Sequence, residues 1–177
     1  DIDGEVAGDQ SGRSVSINSS GDRVAIGAQN NDGTGTDAGH VRVYEYSSSS
    51  WSQLGSDIDG EVAGDQSGYS VSMDSAGDRV AIGAHYNDGT GTSAGHVRVY
   101  EYSGGSWSQV GSDIDGEAAG DQSGYSVAMD SDGSHVAIGA YYNDGTGNAA
   151  GHVRVYEDSN SSWTRLCSDI DGGAARD

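Results

Sequence analysis

Apolar and polar positions follow one recurring pattern along the chain. RVAIGA stands at Arg23–Ala28 and Arg79–Ala84, and HVAIGA at His135–Ala140. In an extended strand the valine and isoleucine of each copy point to one side, the alanine and glycine to the other. One face is branched and apolar; the other is nearly bare. A half-exposed strand would carry Lys, Glu or Thr on that second face, whereas small residues there let a neighbouring sheet approach closely. The pattern predicts an interior strand held between two sheets.

The rest of the chain repeats with it. DIDG begins at Asp1, Asp57, Asp113 and Asp169, a period of 56, and the first two units differ at ten of 56 positions. A fixed period of this size signals a solenoid, a propeller or an array. The units run over 1–56, 57–112 and 113–168, and 169–177 begins an incomplete fourth. Asp1–Gly12 reads as a loop, with Ile2 continuing an outer strand of the preceding unit. Ser14–Ile17 alternates as a strand, and Asn18–Asp22 forms a tight turn whose Gly21 supplies positive φ. RVAIGA follows, then the polar connection Gln29–Gly39, a strand over Gly39–Tyr46 and a short strand over Trp51–Gly55. Four strands joined by hairpin-type connections, with no helical period, predict an all-β chain of three tandem four-stranded antiparallel blades of a β-propeller. Trp51, Trp107 and Trp163 fall on the outermost strand, where blades splay apart. A β-solenoid is the rival architecture, although its rungs usually span only about 20–30 residues.

Composition says where the core lies. The chain has 30 Gly and no Phe, so a single unit cannot bury a core of its own. The units must stack and share it. The net charge of −20, with all eight cationic residues Arg, repels nucleic acid and anionic membranes and favours cations and basic partners. No apolar run reaches spanning length, so membrane insertion is not expected. Cys167 is the single cysteine, which excludes an internal disulfide; Gly55 and Gly111 occupy its place in the other units. No signal peptide is visible, and a start at Asp1 fits a processed chain or an excised fragment.

The pieces SGRSV (Ser11–Val15), SGYSV (Ser67–Val71 and Ser123–Val127), GAQ, GAH and GAY (from Gly27, Gly83 and Gly139), and GHVRVY (from Gly39, Gly95 and Gly151) resemble the FG-GAP repeat of integrin-α-like β-propellers. The resemblance covers the whole of each unit. It implies extracellular adhesion and ligand-binding modules, often of seven blades. Two departures stand out: Ser replaces the Phe of FG, and the family's calcium hairpin has shrunk to NSSGD, DSAGD and DSDGS. These carry too few carboxylates for the six to eight oxygens calcium takes, so the usual calcium site is expected to be lost.

The alternative cation candidate is DIDGExAGD: Asp1, Asp3, Glu5 and Asp9; Asp57, Asp59, Glu61 and Asp65; Asp113, Asp115, Glu117 and Asp121. Alternating acids around a Gly turn can converge as calcium ligands, or can be solvated acids capping their own turns. The carboxylate of each NDGTG loop (from Asn31, Asn87 and Asn143) reads as a turn residue. His40, His96 and His152 recur once per unit without a second local metal ligand; a hydrogen bond within the blade is the expectation. Arg42, Arg98 and Arg154 are expected to pair with an acid from an adjacent loop. Asn18 and Asn160 satisfy the N-glycosylation pattern.

No G-x-S-x-G elbow, H-E-x-x-H or P-loop is present, and Ser, His and Asp recur with the repeat whereas an active site is singular. The sequence therefore predicts a non-enzymatic extracellular or cell-surface adhesion module. The alternative is a carbohydrate-binding propeller using Trp51, Trp107, Trp163, Tyr86 and Tyr142, so a glycan or protein ligand is expected, and no nucleic acid. Three blades cannot close a ring, since propellers take about four to eight. Self-association is expected: a closed dimer of six blades first, a filament or longer array second, with Ile170 completing the outer edge of a partner's first blade.

Overall fold

The structure, a computed structural model, describes residues 1–174. Among them are fifteen strands and no helix, arranged as three antiparallel sheets. The first sheet holds β1 (Ser14–Ile17), β2 (Arg23–Ala28), β3 (His40–Ser47) and β4 (Ser50–Gln53) in that order, with β5 (Ile58–Asp59) also paired to β3. The second repeats it with β6 (Ser70–Met73), β7 (Arg79–Ala84), β8 (His96–Ser103), β9 (Ser106–Gln109) and β10 (Ile114–Asp115). The third holds β11 (Ser123–Met129), β12 (His135–Ala140), β13 (His152–Asp158), β14 (Trp163–Arg165) and β15 (Ile170–Asp171). These are propeller blades.

Each blade's outer strand is split. β4 pairs with the second half of β3, Tyr44 opposite Gln53, and β5 with its start, His40 opposite Asp59 and Val41 opposite Ile58. The Ile-Asp that opens a unit therefore finishes the outer strand of the blade before it, as the sequence suggests for Ile2. The same rule corrects the expectation for the tail. Ile170 and Asp171 pair with Val153 and His152 of their own blade, because that outer strand needs the same continuation; they are not free to complete a partner's first blade. The last three residues of the fourth repeat, 175–177, lie outside the described residues.

The core lies between blades. Ala25, Val41, Val43, Leu54 and Ile58 on the trailing face of the first blade meet Val71, Met73, Val80 and Ile82 on the leading face of the second. The second seam repeats this with Val97, Val99, Val110 and Ile114 against Val136 and Ile138. The bare side of VAIGA is explained at Gly27: a Cβ there would collide with the carbonyl oxygen of Gly68 in the next blade, and one on Gly83 with that of Gly124. The same carbonyls accept hydrogen bonds from Ser14 Oγ and Ser70 Oγ, each at 2.8 Å. Backbone-to-backbone approach between blades thus needs both the glycine and the serine.

Candidate functional site

Each blade carries a groove between the DIDGExAGD loop and the NDGTG loop. The two loops are fastened by a buried amide–carboxylate contact: Asn31 Nδ2 donates to Asp9 Oδ2 (2.9 Å), Asn87 to Asp65 (2.9 Å) and Asn143 to Asp121 (2.8 Å). The NDGTG carboxylates are turn residues, as expected: Asp32, Asp88 and Asp144 each accept a backbone N–H five residues on. The groove of the second blade is about 720 Å³, with Glu61, Tyr86 and Asp113 in its wall. Those of the first and third blades are about 480 and 500 Å³.

The structure redistributes the acids of DIDGExAGD. Asp9, Asp65 and Asp121 are buried and engaged with asparagine. Asp1, Asp3, Asp59 and Asp115 are exposed; Asp3 and Asp59 offer backbone oxygens, not carboxylates, to Arg42 and Arg98 (3.0 and 2.8 Å). Among the described residues the four acids of one loop do not gather as a ligand set. What converges is a glutamate from one unit, its own histidine and an aspartate from the next: Glu5, His40 and Asp57; Glu61, His96 and Asp113; Glu117, His152 and Asp169. His40 Nδ1 lies 3.7 Å from Asp57 Oδ2 and 3.9 Å from Glu5 Oε2; for His96 the distances to Asp113 and Glu61 are 3.7 and 4.0 Å.

The hydrogen bond expected of these histidines within their own blade is not made through Nδ1, which in buried His40 and His96 has no partner. Burial, followed by the nearby Arg98 guanidinium, pushes His96 down to about 4, so its ring is neutral at pH 7. The arginines meet expectation. Arg42 pairs with Glu5 (3.3 Å), Arg98 with Glu61 (3.4 Å), and Arg154 with Glu117 and, at 2.7 Å, Asp169. The Arg154 contact holds the Asp169 carboxyl down to about 2.

The shortened hairpins spend their side chains on the chain itself. Asp74 Oδ1 accepts from the backbone N–H of Gly77, Asp78 and Arg79 (2.9–3.0 Å), and Asn18 Oδ1 from Asp22 and Arg23. In the third blade Asp130 Oδ2 meets His135 Nδ1 at 2.7 Å. This also corrects the glycan expectation at Asn18. Asn18 is buried, and its Nδ2 donates to Ser20, Asp22 and the Ala76 carbonyl, leaving no room for a sugar. Asn160 sits on an exposed turn, and Cys167 is free and exposed.

Two of the tryptophans belong to the seams: Trp107 Nε1 donates to the Leu54 carbonyl and Trp163 Nε1 to that of Val110, which removes these two as ligand platforms, while Trp51 stacks on Tyr46 in its own hairpin. Aromatic surface appears instead where the sequence reading saw only Tyr86 and Tyr142. Arg13 stacks on Tyr69 at 4.0 Å, Tyr69 lies 5.0 Å from Tyr125, and Tyr125 stacks on Tyr141 at 5.1 Å. His85 packs against Tyr69 and Tyr86 (3.9 and 4.0 Å), and its burial, with Arg13 nearby, pushes it down to about 4. The row crosses all three blades and ends at exposed Tyr141 and Tyr142.

The comparisons with known proteins agree with the blades. The chain carries an FG-GAP repeat: the family model of that description matches residues 112–156. Among solved structures, the chain is similar to a protein of Bacteroides fragilis named as a 6-phosphogluconolactonase (12% identity, TM-score 0.60, 89% of this chain and 38% of that one). It is also similar to the periplasmic gluconolactonase of Pseudomonas aeruginosa (16%, 0.55, 81% and 38%) and to hydrazine synthase of Kuenenia stuttgartiensis (10%, 0.55, 97% and 42%). The chain thus spans about two-fifths of the length of these structures, and the likeness is one of fold. No curated protein matches the chain by sequence. One expectation is overturned. The sequence predicts a non-enzyme, yet the fold is shared with proteins named as lactonases, so a missing motif and a repeated residue pattern do not exclude catalysis here.

Proposed function

We propose that the chain is a run of FG-GAP-like propeller blades that joins head to tail with a second copy and serves outside the cell as an adhesion scaffold. One observation carries the assembly. The two end faces are the two halves of the seam that the chain already buries twice. On the leading face of the first blade Val15 is 63% exposed, against 9% for its counterpart Val71; on the trailing face of the third, Ile170 is 58% exposed against 5% for Ile114. That trailing face holds a depression of about 350 Å³ walled by Gly139, Val153 and Ile170, in the place where the earlier blades receive the backbone of the next one. Apolar surface of this kind favours association. The contact is heterologous, so it closes or propagates; two copies supply six blades, within the range of closed propellers. The resemblance to adhesion modules supports the extracellular role. Sedimentation of the chain, with an adhesion assay on the assembled particle, tests it.

The tyrosine row favours a second reading, carbohydrate binding along the grooves of the second and third blades, where Tyr86, Tyr141 and Tyr142 lie. A glycan array, with a gluconolactone hydrolysis assay alongside it, tests binding and turnover together. Loss of binding in Tyr141→Ala is the expected outcome.

A further inference from the structure

We infer that Glu5, His40 and Asp57, and again Glu61, His96 and Asp113, form two sites for a divalent cation of the zinc type. His40 and His96 are each 1% exposed, and Nδ1 of each is buried without a hydrogen-bond partner. Buried polar atoms are almost always paired, and an exception calls for an explanation such as an ion. Both nitrogens face two carboxylates at 3.7–4.0 Å, too far for a hydrogen bond. A tetrahedral ion about 2.1 Å from its ligands sets the ligand atoms about 3.4 Å apart, so the carboxylates have only to close on the nitrogen by about half an ångström to hold one.

The donor set selects the ion. One imidazole nitrogen and two carboxylate oxygens suit zinc and its neighbours, whereas calcium takes oxygen ligands in larger number. Arg42 and Arg98 lean on the other oxygen, Oε1, of Glu5 and Glu61, which leaves Oε2 turned to the histidine. Gln53 and Gln109 do the same for the aspartates, donating to Oδ1 of Asp57 and Asp113 while Oδ2 faces the ring. Glu61 and Asp113 also line the groove of the second blade, so an ion can reach them from solvent.

The third copy is closed to an ion. Arg165 stands where Gln53 and Gln109 stand in the other units and pairs with Asp169 at 2.7 Å. Arg154 takes both oxygens of the same carboxylate and Glu117 besides. Both carboxylates of that cluster are neutralised by guanidinium groups. A fourth group, Asp130, Asp132 and His135 of the third hairpin, is satisfied internally, His135 Nδ1 holding Asp130 Oδ2 at 2.7 Å and Ser134 Oγ donating to Asp132. The expected stoichiometry is therefore two ions per chain.

Calorimetry of the tag-free chain with zinc alone tests this, using exposed positions so that the fold is retained. Two zinc ions per chain are expected in the parent, one in Gln109→Arg, and none at the same concentrations in Glu5→Gln with Glu61→Gln. In ¹⁵N-labelled chain the imidazole resonances of His40 and His96 are expected to move on zinc addition, and that of His85 to stay. Absence of zinc binding, a stoichiometry untouched by the double substitution, or histidine resonances that do not move while zinc binds would each overturn the inference.

Discussion

The indole N–H of Trp107 donates to the main-chain carbonyl of Leu54, one blade back, at 2.7 Å. Trp163 repeats the bond to Val110 at 2.9 Å. Trp51, in the first of the described blades, stacks on Tyr46 in its own hairpin, at 5.2 Å. The outer strands of the second and third blades are thus each pinned to the blade before by one bond from one residue type. Trp107→Phe is expected to cost about 1 kcal/mol for the lost bond, while Trp51→Phe in dilute, unassociated chain costs markedly less. Urea denaturation followed by circular dichroism measures both.

The glycine of VAIGA separates buried from open seams in the same way. Gly83→Ala drives a methyl group into the Gly124 backbone, which cannot yield, whereas Gly139→Ala meets only the side-chain oxygen of Ser126. The first is expected to destabilise by at least about 2 kcal/mol, in the range of overpacked cores, and the second, in dilute, unassociated chain, by much less. Equal losses in thermal melts of the two variants would show that the seam is not as tight as described.

Acid weakens the fold through His85. Its folded value of about 4 lies below the ordinary 6.5, because the ring is buried among Tyr69, Tyr86 and Tyr125 with Arg13 nearby. The unfolded chain binds a proton there that the folded chain refuses. The stabilising contribution is full above pH 6.5 and is lost as the pH falls from 6.5 towards 4. The first unit carries Gln29 at this position, so His85→Gln is expected to fold and to melt with a shallower pH dependence across that window.

Much of the fold is legible in the sequence because it is periodic and local. The strands Ser14–Ile17 and Arg23–Ala28 follow directly from alternation and from the glycine of the turn between them. The short β5 follows from Ile58 recurring before Gly60. The Glu5–His40–Asp57 cluster is harder to see, since its members come from two units and meet only when the next unit's Ile-Asp pairs beside His40. A signal was present: an outer strand completed by the following unit necessarily brings its DID against the histidine of GHVR. The tyrosine row left no such signal. Tyr69 and Tyr125 stand in SGYSV as ordinary flanking residues, and only the stacking of three inner strands aligns them.

In the proposed assembly the leading face of the first blade is complementary to the trailing face of the third. Sedimentation equilibrium at micromolar concentration tests it most directly, on the parent chain and on Val15→Asp with Ile17→Asp, two exposed positions of the leading face. A discrete species of twice the 18.0 kDa chain mass is expected for the parent and a folded monomer for the variant. A parent chain that stays monomeric at that concentration, or a variant that associates as readily as the parent, would contradict it.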